Sequence, residues 1–291
     1  MRLALIGAHT DGGLGAWARQ VRETLVTEFP STSVDVLHRG NWELAKHPDG
    51  VIIASPAEAH AAQALYYVAR GIPVFVEKPL ALSIRDAERV GIAVEAQRGL
   101  PFLVDHVHLF SPAYRKLKEV LLDPARTHGA VEDLAAVCNG PSPERACGTL
   151  WDWGPHALAY VVDLMPGAQV TRALRLPGQY HVTLQGAMVG ATLTFGVAEA
   201  KTHRLSVFTR RGDWLAQDNR HQMPLTYNGF PVPVLDARRP LTVALDAWLG
   251  AIEGLAGSGP GLGVNLGISV VRLLAEIARQ LPSDAPGPEA T

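Results

Sequence analysis

Asp152 and His156 stand four residues apart in the run Leu150-Trp151-Asp152-Trp153-Gly154-Pro155-His156. On a helix, that spacing puts a carboxylate and an imidazole on one face. Histidine titrates near neutral pH and serves as acid or base, so the pair is equipped for proton transfer. The same residues also suit a capped helix start, with Asp152 accepting from backbone amides and His156 packed. A second group of residues, Gly7-Ala8-His9-Thr10-Asp11-Gly12-Gly13, follows a short apolar run. A dinucleotide fold takes glycines at such a turn for tight bending, close approach of the pyrophosphate and close helix packing. Gly7 and Gly12 fill the first and third positions, with Gly13 beside them. His9 occupies the second, and Asp11 brings a negative charge to the place of the phosphates. A purely structural turn fits as well. The next apolar run ends in Leu37-His38-Arg39 with no acid to bind a ribose 2′-hydroxyl. Arg39 suits a 2′-phosphate and favours NADP over NAD, although it also fits a solvated surface arginine.

The elements that must position these residues change character near Pro112. Up to there, apolar runs at Leu3–Ile6, Val34–Leu37, Gly50–Ala54, Val74–Val76 and Pro101–Val104 alternate with helical patterns at Leu14–Glu28, Ala57–Arg70 and Ser83–Gln97. That rhythm predicts βαβ units and a parallel sheet buried on both faces. Ser83 and Asp86 have the spacing of a capping box. Beyond Pro112, helical patterns at Ala113–Leu122, Trp151–Leu164, Thr242–Leu255 and Leu266–Leu281 surround five β-rich runs between Gly129 and Thr209. Turns at Pro177-Gly178 and Arg211-Gly212-Asp213 predict an antiparallel sheet. The expected fold class is α/β plus α+β: a Rossmann domain over 1–108, an α+β substrate-binding and oligomerisation domain over 109–281, and a flexible tail over 282–291.

Composition excludes several classes. Apolar residues make up 47% of the 291 residues, enough for sizeable cores, and the net charge of −2 offers no basic surface for nucleic acid. Cys138 and Cys147 are too few for a disulfide framework and too far apart for a metal knuckle. No apolar run reaches the length of about 20 residues that spans a bilayer. The amino-terminal run lacks the features of a signal peptide, so a cytoplasmic protein without membrane partners is expected. Asp152 and His156 lack a third ligand nearby, and no metal is expected.

The segment Gly71-Ile72-Pro73-Val74-Phe75-Val76-Glu77-Lys78-Pro79-Leu80-Ala81 resembles the glucose–fructose oxidoreductase, inositol dehydrogenase and rhizopine catabolism (Gfo/Idh/MocA) family, in which a Glu-Lys-Pro triplet follows the fourth strand. Ala54-Ser55-Pro56 with His60 is similar to the family's turn bordering the cofactor. Asp105-His106-Val107-His108-Leu109-Phe110-Ser111-Pro112 is similar to its interdomain segment, with Leu109 where an arginine is frequent. Asp152 to His156 matches its Asp-x-Gly-x-His pattern. The resemblance implies that Ser55, Pro56, His60 and Glu77 border the cofactor, and that Lys78 points at substrate and nicotinamide.

The resemblance implies hydride transfer between NADP or NAD and a secondary alcohol of a sugar, cyclitol or sugar nucleotide. His156 then takes the hydroxyl proton, Lys78 stabilises charge on the same oxygen, and Asp152 orients His156 or binds a neighbouring hydroxyl. A homodimer or homotetramer is expected, with Val182, Leu184, Leu193 and Phe195 on an open apolar sheet face. His106 and His108 are expected to alternate on a strand end, His203 and His221 to lie on the surface, and Trp151 and Trp153 to form core or cleft walls. Two other functions compete. One is a silent ligand-binding homologue with a regulatory role, motivated by His9 and Asp11. The other is an enzyme that oxidises its substrate transiently during elimination or hydrolysis.

Overall fold

The computed structural model describes residues 1–8, 13–38, 40–44, 47–122, 131–141, 145–212, 214–218, 225–255 and 263–282. Two compact units emerge from the contacts within the chain. The first combines Met1–Val107 with Arg239–Val271, and the second combines His108–Arg238 with Arg272–Thr291.

In the first unit, β1 (Arg2–Ala8), β2 (Ser33–His38), β3 (Gly50–Ile53), β4 (Val74–Glu77) and β5 (Phe102–Asp105) form a parallel sheet in the order β2-β1-β3-β4-β5. Every residue of β3, β4 and β5 is buried, as apolar Val- and Ile-rich runs covered on both faces require. Helices α1 (Ala16–Glu28), α2 (Ala57–Val68) and α3 (Ile84–Ala96) make the crossovers. The start of α3 is fixed as its sequence predicts: Ser83 Oγ accepts from the Asp86 N–H at 3.1 Å. Strand order reverses between β1 and β3, and the carboxyl ends at such a switch point form the ligand crevice of open α/β sheets.

Helix α6 (Pro240–Ile252) and the first part of α7 (Val264–Gln280) pack with this sheet, although the sequence places 109–281 in one later domain. Contact geometry supplies the reason. The fully buried Trp248 of α6 lies edge-on to Phe75, with ring centroids 5.7 Å apart. Gly263 N–H donates to Phe102 O at 2.8 Å. A Cβ at Gly267 would stand 2.7 Å from Val104, so glycine permits α7 to lie on β5.

The second unit holds α4 (Pro112–Leu122), α5 (Gly148–Leu164) and an eight-stranded sheet. Its strands are β6 (Val131–Gly140), β7 (Gln169–Leu176), β8 (Gln179–Gln185), β9 (Gly190–Val197), β10 (Thr202–Thr209), β11 (Trp214–Asp218), β12 (Leu225–Tyr227) and β13 (Phe230–Pro231). They run in the order β13-β12-β11-β10-β6-β9-β8-β7, all antiparallel except the β6–β9 pair. The last three strands were not anticipated, because they are only five, three and two residues long and too short to show a clear alternation.

Two expectations need correction here. Val182, Leu184, Leu193 and Phe195 do not form an open face. Cross-strand register places Val182 opposite Leu193 and Tyr180 opposite Phe195, all buried on one side of the sheet. Helix α5 covers that side at Phe195: a Cβ on Gly154 would stand 3.3 Å from its ring. The uncovered side carries the polar Thr183, Gln185, Thr192 and Arg204, with Phe208 exposed on the same side as Arg204. Nor do His106 and His108 alternate on a strand end. Strand β5 stops at Asp105, and Val107–Phe110 form a single 3-10 turn. Among the described residues, no helix is long and apolar enough to cross a membrane.

Candidate functional site

Four strand ends of the first unit bring sequence-predicted residues together. Gly7 sits near the end of β1, where a Cβ would come within 2.9 Å of Ala18 Cβ and 3.0 Å of Ala54 O. Only glycine lets β1, the start of α1 and the end of β3 approach so closely. Gly13 is exposed and precedes an isolated bridge from Leu14 to Ala8, and the half-buried His38 ends β2. His9, Gly12 and Arg39 lie outside the described residues.

The turn after β3 is bound to the turn after β4 through one side chain. His60, on the first turns of α2, reaches Ser55 O with Nε2 and Pro79 O with Nδ1, both at 2.8 Å. Ser55 Oγ in turn donates to Gln63 Oε1 at 2.6 Å. Two carbonyl acceptors favour a doubly protonated ring. Burial opposes the charge more strongly, the Lys78 ammonium adds to that opposition, and the pKa of His60 falls below its ordinary value.

Lys78 follows directly, 4% exposed, with Nζ 3.9 Å from Glu77 Oε1. The peptide bond from Lys78 to Pro79 is cis. Opposite Glu77, in register on β5, stands Asp105. It is 1% exposed, and neither carboxylate oxygen has a hydrogen-bond partner among the described residues. Burial first, and Glu77 second, push its pKa well above the ordinary carboxylate range, while Lys78 opposes the rise. Sequence reading named Asp105 only as part of a family segment and missed this placement.

These residues suit a bound dinucleotide. Neither α1 nor α2 has a side-chain cap, since Gly15 and Pro56 hold the N-cap positions. Apart from the Ala59 N–H, which donates to Pro56 O, first-turn N–H groups of this kind suit an anion at the carboxyl edge of the sheet.

In the second unit, Asp152 and His156 share one face of α5, as their spacing predicts. Asp152 lies in the second turn, since the helix begins at Gly148, so the helix-cap alternative does not hold. Its Oδ1 stands 3.3 Å from Arg145 Nη1, a partner that the sequence gave no reason to pick. Pro155 fits inside α5 at the cost of one main-chain bond, because it has no N–H to donate to the Trp151 carbonyl.

Three histidines meet beside this face. The ring of His108 lies 4.8 Å from His156 and 3.9 Å from His203, and the rings of His156 and His203 are 5.6 Å apart, all between centroids. Trp153 stands against both His156 and His203, at 5.7 and 6.0 Å. His203 is 3% exposed and not on the surface, because its parity along β10 turns it to the covered side with Leu205 and Val207. His221 lies outside the described residues. Trp153 is buried, in keeping with the wall expected of it, and packs over Gly140, where a Cβ would stand 2.7 Å from the indole. Among the described residues, no group of three or more His, Cys, Asp or Glu side chains has the geometry to hold a metal ion.

Residues 15–106 match the oxidoreductase family with an NAD-binding Rossmann fold, Gfo/Idh/MocA. The crystal structure of an inferred oxidoreductase from Magnetospirillum magnetotacticum MS-1 is 28% identical, covers 95% of this chain and 99% of its own, and superposes with a TM-score of 0.78. UDP-N-acetylglucosamine 3-dehydrogenase from Acidithiobacillus ferrooxidans shares the fold at 17% identity, with 97% of each chain covered and a TM-score of 0.76. Inositol 2-dehydrogenase of Acidothermus cellulolyticus is 38% identical over 88 residues, 30% of this chain and 26% of that protein. The chain spans about a quarter of the length of the curated relatives it matches first.

Proposed function

Because residues 15–106 match the model of the Gfo/Idh/MocA oxidoreductases, we propose a nicotinamide-dependent dehydrogenase. Its substrate is a secondary alcohol, or the matching ketone, of a sugar, a cyclitol or a sugar nucleotide. The observation that carries this reading is the placement of Lys78: buried at the carboxyl end of β4, beside Glu77, in a turn that His60 ties to the end of β3. Gly7, Gly13, His38, Ser55, Pro56, His60 and Glu77 hold the dinucleotide, with His9, Gly12 and Arg39 assigned to it by sequence. When bound, the dinucleotide accepts or returns the hydride. Lys78 donates to the substrate oxygen and stabilises the negative charge that develops there. His156 takes the hydroxyl proton in oxidation and gives it back in reduction. Asp152, held by Arg145, fixes the polar character of the same helix face.

The substrate class rests on relatives named for an inositol and for UDP-N-acetylglucosamine. NADP is preferred over NAD in this reading, because β2 ends at His38 without an acid and Arg39 follows. A homo-oligomer stays part of the reading through the family alone, and sedimentation velocity checks it.

The test is a titration of the purified protein with NADPH and with NADH, followed by a panel of polyols, sugars and sugar nucleotides read by absorbance of the reduced nicotinamide. Substrate-dependent absorbance change is expected. Cofactor binding without any such change would favour the silent homologue, and failure to bind either dinucleotide would remove the reading.

A further inference from the structure

The three histidines of the second unit come from three separate places in the sequence: the 3-10 turn before α4, the middle of α5, and β10. Their rings lie so close that the protonation states cannot be independent. At 3.9 to 5.6 Å between centroids, one imidazolium makes a second roughly a hundred- to a thousandfold less favourable at the effective dielectric of a protein interior. Among the described residues, the neighbouring elements of the unit bring these groups to the cluster. Arg145 and Asp152 form an ion pair at one side. Strand β6 offers Cys138, opposite His203, a thiol that burial keeps protonated. Strand β9 offers the apolar Leu193 and Phe195, and α7 the apolar Leu274.

We propose that His108, His156 and His203 act as one proton-accepting unit that carries a single proton among them, with His108 and His203 as positioning residues for His156. The proposal rests on the reading in which His156 takes the substrate proton, and extends it. A lone histidine that accepts a proton becomes a cation in a half-buried place. A cluster delocalises that charge by exchange between neighbouring rings, while His203 from β10 and His108 from the turn hold the His156 ring in place. A hydroxyl proton then leaves the substrate oxygen for one ring nitrogen, and no second proton follows.

The test is ring-nitrogen NMR of the full chain with labelled histidine, titrated from about pH 8 to pH 5, with resonances assigned through His108→Gln, His156→Asn and His203→Phe. Three partial titrations with a shared midpoint, summing to one proton, are expected. In His203→Phe and in His108→Gln, the amplitudes of the remaining two rings should each grow. Three full-amplitude titrations that ignore one another would overturn the proposal, as would three rings that do not titrate. Melting temperatures identify any variant that has lost its fold, and His108→Gln, at a half-buried site, is the safeguard if His203→Phe unfolds. Activity separates the two layers of the argument. If kcat/KM keeps its acid limb in His156→Asn, the assignment of His156 fails, while the coupled titration stands or falls on the NMR alone. If the acid limb disappears in His156→Asn, its midpoint should move in His108→Gln and His203→Phe, and a midpoint that stays fixed in both would also sink the proposal.

Discussion

Asp105→Asn should stabilise the protein, and the gain should depend on pH. The side chain is buried, its two oxygens accept no hydrogen bond among the described residues, and the backbone register sets it beside Glu77 on the neighbouring strand. Parallel neighbours stand about 4.8 Å apart, so two carboxylates there repel by about 3 kcal/mol at an effective dielectric of 20. Lys78 offsets part of this. The cost of a buried unpaired polar group is common to Asp and Asn, so the gain comes from removing the charge. A net gain on the order of 1–3 kcal/mol follows for the isosteric amide, which amounts to roughly 2–10 °C in melting temperature for a chain of this size. The sign with pH is fixed by the direction of the shift. The folded carboxyl ionises above its ordinary value of 3.8, so no penalty exists below that value, and it grows as pH rises through the folded pKa. Thermal unfolding of both proteins at pH 8 and near pH 4 reads this directly. Equal melting temperatures at pH 8, or a difference that widens toward pH 4, would refute the account of Asp105.

Lys78→Ala should lower turnover by at least a hundredfold with the fold and the cofactor affinity retained, since the lysine is assigned to charge on the substrate oxygen; steady-state kinetics beside a binding titration tests this. Arg39→Ala should reduce any preference for NADPH over NADH toward unity, measured as the ratio of dissociation constants; an unchanged ratio would take Arg39 out of the 2′-phosphate site. Trp248→Ala should cost about 3–5 kcal/mol as a cavity opens under β3 and β4. Trp248→Phe should cost far less, because the indole N–H has no partner among the described residues. Denaturant melts compare the two.

Elements with a strong period were legible in the sequence. The five parallel strands and their crossover helices follow from apolar runs alternating with helical stretches, and Ser83 caps α3 as its spacing predicts. Asp152 and His156 share a helix for the same reason: a four-residue spacing is a local property. What escaped was set by tertiary register. His203 reads as a polar residue in a β-rich run, and only the parity of β10 under α5 turns it inward toward His108 and His156, which are distant in sequence. Arg145 pairs with Asp152 across a loop whose path no local pattern encodes. The supposed apolar sheet face failed on the same ground: alternation shows that a strand has two faces but not which one a helix will cover.

The return of Arg239–Val271 to the first unit has a consequence for the order of events during synthesis. When the ribosome has delivered Val107, all five parallel strands exist, yet the surfaces that Trp248 and Gly267 will cover at Phe75 and Val104 are bare. More than a hundred further residues must emerge before those surfaces close. A nascent chain of this kind spends its elongation with an apolar sheet exposed, the situation in which chaperones are engaged. A fragment ending at Val107 is accordingly expected to aggregate, and gene fusions or truncations made within 239–271 should harm the amino-terminal half of the protein more than their position in the sequence would imply.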